Sequence, residues 1–196
     1  MSAFRLGLTG SIGMGKSTTA AMFVAEGLPV WDADAAVHRL YGAGGAAIGP
    51  VSDICPEAVV SGQIDRSVLR AWIADDPAAL PRLEALVHPL VAQDREAFAR
   101  AARSDIVVFD IPLLFEKGTE AEMHATLLVT APPAVQRQRV LDRPGMNEAQ
   151  FALLLNRQMP DADKRTRATH IVETLSIPQT RAYVQALIAY LRRQHA

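Results

Sequence analysis

The chain has 196 residues, 49% of them hydrophobic, and a formal net charge of −1 from 20 basic and 21 acidic side chains. The length suits one compact α/β domain with a small insertion, and the hydrophobic share excludes a disordered chain. A near-neutral balance excludes a global basic field that would draw nucleic acid or an anionic membrane, so any bound anion must be held by local groups.

The first five residues run directly into an apolar strand, without the charged segment and long apolar core of a secretory signal. No apolar run reaches the roughly 18 residues of a membrane span. Cys55 is the only cysteine, so an intramolecular disulfide is impossible. These features lead us to expect a cytoplasmic protein with no membrane or nucleic-acid partner, as a monomer or small homo-oligomer.

Short apolar segments at 5–9, 28–32, 106–110, 126–130 and 170–173 read as strands. Helical patterns at 16–25, 33–41 and 134–142 follow the first, second and fourth of them. That alternation implies a parallel five-stranded sheet flanked by helices, which presents its active groups at the C-terminal strand ends. Residues 42–50 are rich in glycine and alanine and read as a loop that leaves room for a helix start. The stretch 66–103 breaks the alternation with consecutive helices at 66–74, 77–87 and 89–103, the last two opening on Pro77 and Pro89. It is either a helical substrate-binding subdomain, about 61–103, or plain packing against the sheet. Residues 179–193 read as a closing helix.

Gly10-Ser11-Ile12-Gly13-Met14-Gly15-Lys16-Ser17 matches the phosphate-loop pattern G-x-x-x-x-G-K-[ST] between a strand and a helix. Glycines let the backbone wrap phosphate oxygens with its N–H groups inward, and the helix start, continuing through Thr18, adds positive partial charge. Lys16 can reach the β- and γ-phosphates, and the Ser17 hydroxyl can ligate Mg²⁺. No Asn-Lys-x-Asp element for guanine follows, and a motor ATPase needs more chain, so a small ATP-dependent kinase is the expected class.

Asp32 and Asp34 end the second strand and open a helix. One carboxylate can accept the proton of an attacking hydroxyl while the other supports it or caps the helix. We expect Asp34 to be the base. Asp110 ends the third strand in a Walker-B-like manner, as an outer-sphere partner of Mg²⁺. Pro112 then turns the chain, and Leu113 to Phe115 read as core or as acceptor pocket. Arg139 and Arg143 lie four apart on one helix face, before a break at Pro144-Gly145. They suit a lid, about 134–160, closing over a triphosphate.

Together these pieces resemble the dephospho-coenzyme A kinase family over nearly the whole chain. The carriers are the segment from Gly7 to Thr18, Asp32-Ala33-Asp34, Asp65-Arg66, Leu69-Arg70, Leu86-Val87-His88-Pro89, Pro112-Leu113-Leu114-Phe115-Glu116, and Gln136 with Arg139 and Arg143. The resemblance implies a P-loop kinase core with a helical acceptor subdomain and a lid. It implies phosphoryl transfer from ATP to the ribose 3′-hydroxyl of dephospho-coenzyme A. It marks Asp34 as base, Lys16 as phosphate lysine, and Asp32, Arg66, His88, Leu113 and Glu116 as acceptor-side residues. His88 can equally be a packing residue at a helix junction. The family often carries Ala-Asp before its last strand and Asn after it. Here Ala168-Thr169 and Glu173-Thr174 stand there, in the region bordering adenine in such kinases.

Shikimate- or gluconate-type kinases also pair a phosphate loop with Asp-x-Asp. They should carry a mid-chain glycine run, and Gly44-Gly45 comes too early for it. A nucleotide switch would bind without turnover and leave the carboxylate and arginine pairs unexplained.

Overall fold

The computed structural model describes residues 3–195. The chain divides into two compact units. The first runs to Trp31 and resumes at Ala102, and the second is Asp32–Ala101. The second unit therefore begins well ahead of the boundary expected near residue 61.

The first unit is built on a five-stranded sheet. Its strands are β1 (Phe4–Thr9), β2 (Val30–Asp32), β5 (Ile106–Asp110), β6 (Ala125–Thr130) and β7 (His170–Glu173), in the order β2-β5-β1-β6-β7. β1 runs parallel to β5 and β6, and β6 parallel to β7. β5 and β6 are buried at every residue, which explains their near-continuous apolar sequences. One sheet face, carrying Leu6, Leu8, Val108, Leu127 and Val129, shares a core with Met22 and Phe23 of α1 (Lys16–Ala25) and with Val184, Leu187 and Leu191 of α9 (Ile177–His195). α6 (Pro133–Leu141), α7 (Glu148–Asn156) and α8 (Asp161–Arg167) follow β6.

β2 is shorter than the expected 28–32 because α1 ends in a Schellman motif. Gly27, at φ 80°, donates its N–H to Val24, and Leu28 donates to Phe23. Leu28 thus finishes a helix cap, and Pro29 meets the sheet only through its carbonyl, which accepts from Val108 N–H at 3.0 Å.

The second unit holds α2 (Ala33–Tyr41), α3 (Ile48–Ile54), a hairpin of β3 (Val59–Val60) and β4 (Gln63–Ile64), α4 (Arg66–Asp75) and α5 (Ala79–Ala101). Its own core joins Leu40, Val51, Ile64, Leu69, Leu83 and Val87. The hairpin turn, Ser61 at φ 50° and Gly62 at φ 74°, has both central residues left-handed, the geometry that matches strand twist.

Two expected helices prove to be one. α5 passes through Pro89, which loses one backbone N–H donor but does not end the helix. The apolar face on both sides of it, Leu83, Val87, Leu90 and Val91, packs into a single core and offsets the loss. The segment 42–50 is a loop up to Ala47, and α3 starts within it at Ile48, as the sequence allowed. No helix among the described residues is long and apolar enough to cross a membrane.

Candidate active site

The phosphate loop is shaped by close approaches that only glycine permits. A Cβ on Gly10 would stand 2.3 Å from Val129 Cγ2. On Gly13, at φ 77°, it would stand 2.6 Å from Val140 Cγ2 and 2.9 Å from the Gln136 carbonyl oxygen. Gly15, at φ 90°, takes the N-cap position of α1 in the left-handed region, with no side chain competing for the helix amides. The first-turn N–H groups of α1 have no preceding carbonyls to meet, which leaves an anion-binding end. The buried Ser11 Oγ has no hydrogen-bond partner either, a second donor available to a phosphate.

The loop is tied down on every side. Met14 N–H donates to Ser11 O at 3.1 Å, Ala131 N–H meets Met14 Sδ at 3.0 Å, and Thr174 Oγ1 donates to Met14 O at 2.8 Å. Gln136 Nε2 donates to Ile12 O at 2.8 Å, and Ile12 N–H donates to Gln158 Oε1 at 3.0 Å.

Register brings the charged residues of this unit together. β1 pairs Leu8 with Asp110, so the strand that feeds the loop ends beside the strand that ends in the acid. Lys16 Nζ donates to Asp110 Oδ1, and the Asp110 side chain is only 3% exposed. Ser17 is exposed, and its hydroxyl has no partner among the described residues. No cluster of three or more His, Cys, Asp or Glu able to hold a metal occurs among the described residues. A divalent ion here could take Ser17 directly and Asp110 through water, and would complete its shell from phosphate oxygens and water, as hard cations bound with nucleotides do.

The two arginines differ from one another. Arg139 is half-buried and donates to Thr174 through Nη1 at 2.9 Å and Nη2 at 2.5 Å. Arg143 is exposed and has no side-chain partner among the described residues. Both line a cavity of about 290 Å³ with Gly15, Thr18, Thr174 and Ile177. A larger depression of about 590 Å³, lined by Leu28, Pro29, Ser104 and Asp105, lies where β2 and β5 begin. That is the wrong end of a parallel sheet for ligands.

After Asp110 the chain turns at Pro112, whose carbonyl accepts from Thr9 Oγ1 at 3.2 Å. Leu113 is half-buried there. Glu116 Oε1 accepts from Met159 N–H and faces the fully buried Lys164 Nζ, each at 2.9 Å.

Asp32, Asp34, Arg66 and His88 belong to the second unit. Asp32 is the N-cap of α2 and accepts from Ala35 N–H at 2.8 Å, while Asp34, in the first turn, is exposed with no side-chain partner among the described residues. The Arg66 guanidinium lies 5.5 Å from the Tyr41 ring centroid. Burial raises the Tyr41 phenol above its ordinary value, with Arg66 pulling the other way. His88 is exposed on α5, 3.9 Å from Glu84 one turn earlier.

Sequence reasoning missed Gln158 and the anchoring role of Thr174. Gln158 follows a helix end with no motif around it. Thr174 stood out only as a departure from the family pattern.

A parallel sheet in the order β2-β5-β1-β6-β7, with a phosphate loop after β1 and a lysine–aspartate pair at its strand ends, defines a P-loop kinase. The family model for dephospho-CoA kinase matches residues 4–178, and the chain belongs to that family. A dephospho-CoA kinase of Cereibacter sphaeroides is 69% identical over 192 residues, covering 98% of each chain. The crystal structure of TT1252 from Thermus thermophilus aligns with TM-score 0.86 and 36% identity, covering 97% of this chain and 99% of that one. A dephospho-CoA kinase from Campylobacter jejuni shares the fold, with TM-score 0.72 at 22% identity over 98% of both chains.

Proposed function

We propose that the chain transfers the γ-phosphoryl group of ATP to the ribose 3′-hydroxyl of dephospho-coenzyme A, giving coenzyme A and ADP. The reading rests on one combination: a phosphate loop and two arginines lining a single cavity, in a member of this family. The loop N–H groups and Ser11 hold the phosphates, and Lys16 neutralises charge on the β- and γ-oxygens. Arg143, with no other partner among the described residues, adds charge where the transferring group becomes electron-poor and its oxygens stay anionic. Arg139 borders the nucleotide.

Asp34 accepts the proton of the 3′-hydroxyl as the new O–P bond forms and the bond from the β,γ-bridging oxygen to phosphorus breaks. Its exposure, and the lack of a side-chain partner among the described residues, leave the carboxylate available, whereas Asp32 is engaged as a cap. Ser17 and Asp110 would hold Mg²⁺. When bound with ATP, the ion withdraws charge from the phosphates. Arg66, His88, Leu113 and Glu116 are the acceptor-side residues, and the segment 134–160 acts as the lid. The enzyme works in the cytoplasm.

An ADP-release assay tests the reading. Dephospho-coenzyme A should give turnover well above shikimate, gluconate and nucleoside monophosphates, with loss of activity in excess chelator. Equal or greater turnover of any of those acceptors would overturn it.

A further inference from the structure

The phosphate loop is held at its tip by two side-chain amides whose hydrogen bonds run in opposite directions. Ile12 N–H gives its proton to Gln158 Oε1, and Ile12 O takes one from Gln136 Nε2. These atoms belong to two consecutive peptide planes, so the pair fixes both dihedrals of Ile12.

The consequence follows from the trans peptide, in which N–H and C=O point in opposite directions. Turning Ile12 N–H toward Gln158 turns Ser11 C=O the other way, where it accepts Met14 N–H and closes the loop's turn. Turning Ile12 C=O toward Gln136 aims the Gly13 N–H, in the same plane, away from α6. Gln136 is 5% exposed, and α6 abuts Gly13 through the Gln136 carbonyl and Val140. The plane thus has a polar anchor on one side and, on the other, an N–H with no partner among the described residues.

We propose that Gln136 and Gln158 are positioning residues for ATP: they hold the two peptide planes around Ile12 so that the Gly13 N–H faces the phosphates. Gln158 acts as acceptor and Gln136 as donor. Gln158 is itself located by its neighbour, since Met159 N–H donates to Glu116, which faces the buried Lys164. The end of α7 and the start of α6 therefore meet the loop at one residue. A displacement of the segment around Gln158 releases one plane directly.

This inference rests on the ATP-dependent reading above, and the opposite bond directions supply its test. ATP binding is measured by calorimetry for Q136L, Q158L, Q136E and Q158E, beside Tm and the KM for each substrate. Q136L and Q158L should each weaken ATP about tenfold, as loss of one buried hydrogen bond does, and should leave the KM for dephospho-coenzyme A within about twofold. The two glutamate variants add the same charge beside the same loop residue, and the Tm of each, set against its leucine counterpart, reports the different cost of burying it, so the remaining difference in ATP affinity reports bond direction. Q158E keeps an acceptor facing Ile12 N–H. Q136E sets a carboxylate against a carbonyl oxygen, and should bind ATP about tenfold more weakly than Q158E.

Equal losses in the two glutamate variants would overturn the inference, as would wild-type ATP affinity in both leucine variants with only Tm lowered. Should Q136E fold too poorly to assay, the leucine variants decide. A wild-type chain that bound no ATP would instead overturn the nucleotide reading itself.

Discussion

Lys16, the first residue of α1, is hydrogen-bonded to Asp110, the last residue of β5, so the ammonium group is already held at the strand ends. The parallel register that pairs Leu8 with Asp110 sets the acid beside the end of β1, within reach of the lysine that closes the loop. The lysine does not have to be recruited from solvent when phosphates arrive.

That pairing has a stability signature separate from catalysis. Lys16→Met should cut turnover by about 10²-fold or more, because a charge on the transferring group is lost. It should also destabilise the fold, since the buried Asp110 carboxylate loses its cation. The double variant Lys16→Met with Asp110→Asn should be inactive yet more stable than Lys16→Met alone. Denaturant unfolding of the three proteins checks this order, and a double variant weaker than the single would contradict it.

The two aspartates should separate cleanly. Asp32→Ala removes the side-chain cap of α2 and should cost about 1 kcal/mol of stability. Asp34→Asn removes no contact made among the described residues. It should leave unfolding and ATP binding unchanged while coenzyme A formation falls by roughly 10²-fold or more. Wild-type turnover in Asp34→Asn would exclude it as the base.

By sequence, spacing four apart puts both lid arginines on one helix face. Their surroundings now set them apart. Arg143→Ala should lower kcat by about 10²-fold with Tm unchanged, because Arg143 is exposed and unpartnered among the described residues. Arg139→Ala should lower Tm and raise the KM for ATP, because its guanidinium spans to Thr174 beside the loop. Thr174→Val removes the hydroxyl that both accepts from Arg139 and donates to Met14 O, and should reproduce part of the Arg139→Ala effect on the KM for ATP.

His170, in β7, packs edge-on against Tyr190 with ring centroids 5.9 Å apart, and burial lowers its pKa below the ordinary value. The unfolded chain titrates this group near about 6.5 and so binds the proton more readily than the folded chain. Its contribution to stability is therefore complete above about pH 6.5 and is lost as pH falls through the lower, folded value. His170→Phe keeps the ring contact and should flatten the stability slope between about pH 7 and pH 5. Unfolding midpoints across that range check it, and parallel slopes for the two proteins would refute it.

The reaction class and most of the sheet were legible in the sequence because their causes are local. A phosphate loop needs its glycines and lysine at fixed spacing, and strands buried on both faces must be continuously apolar. The extent of α5 was not legible. Pro89 is a local signal to stop, and only packing on both sides of it in the second core overrides that signal. β2 shortened for a comparable reason: the pair Gly27 and Leu28 closes α1, which no alternation pattern announces. The site shows the same division. Lys16, Ser17, Asp34, Asp110 and Arg143 could be proposed from type and position. Gln158 and Thr174 could not, because they lie 146 and 160 residues from the loop atoms they hold. Sequence determined which groups can touch a phosphate. Tertiary structure decided which of them are already engaged, because a hydrogen bond between distant segments depends on register and packing, and spacing along the chain carries neither.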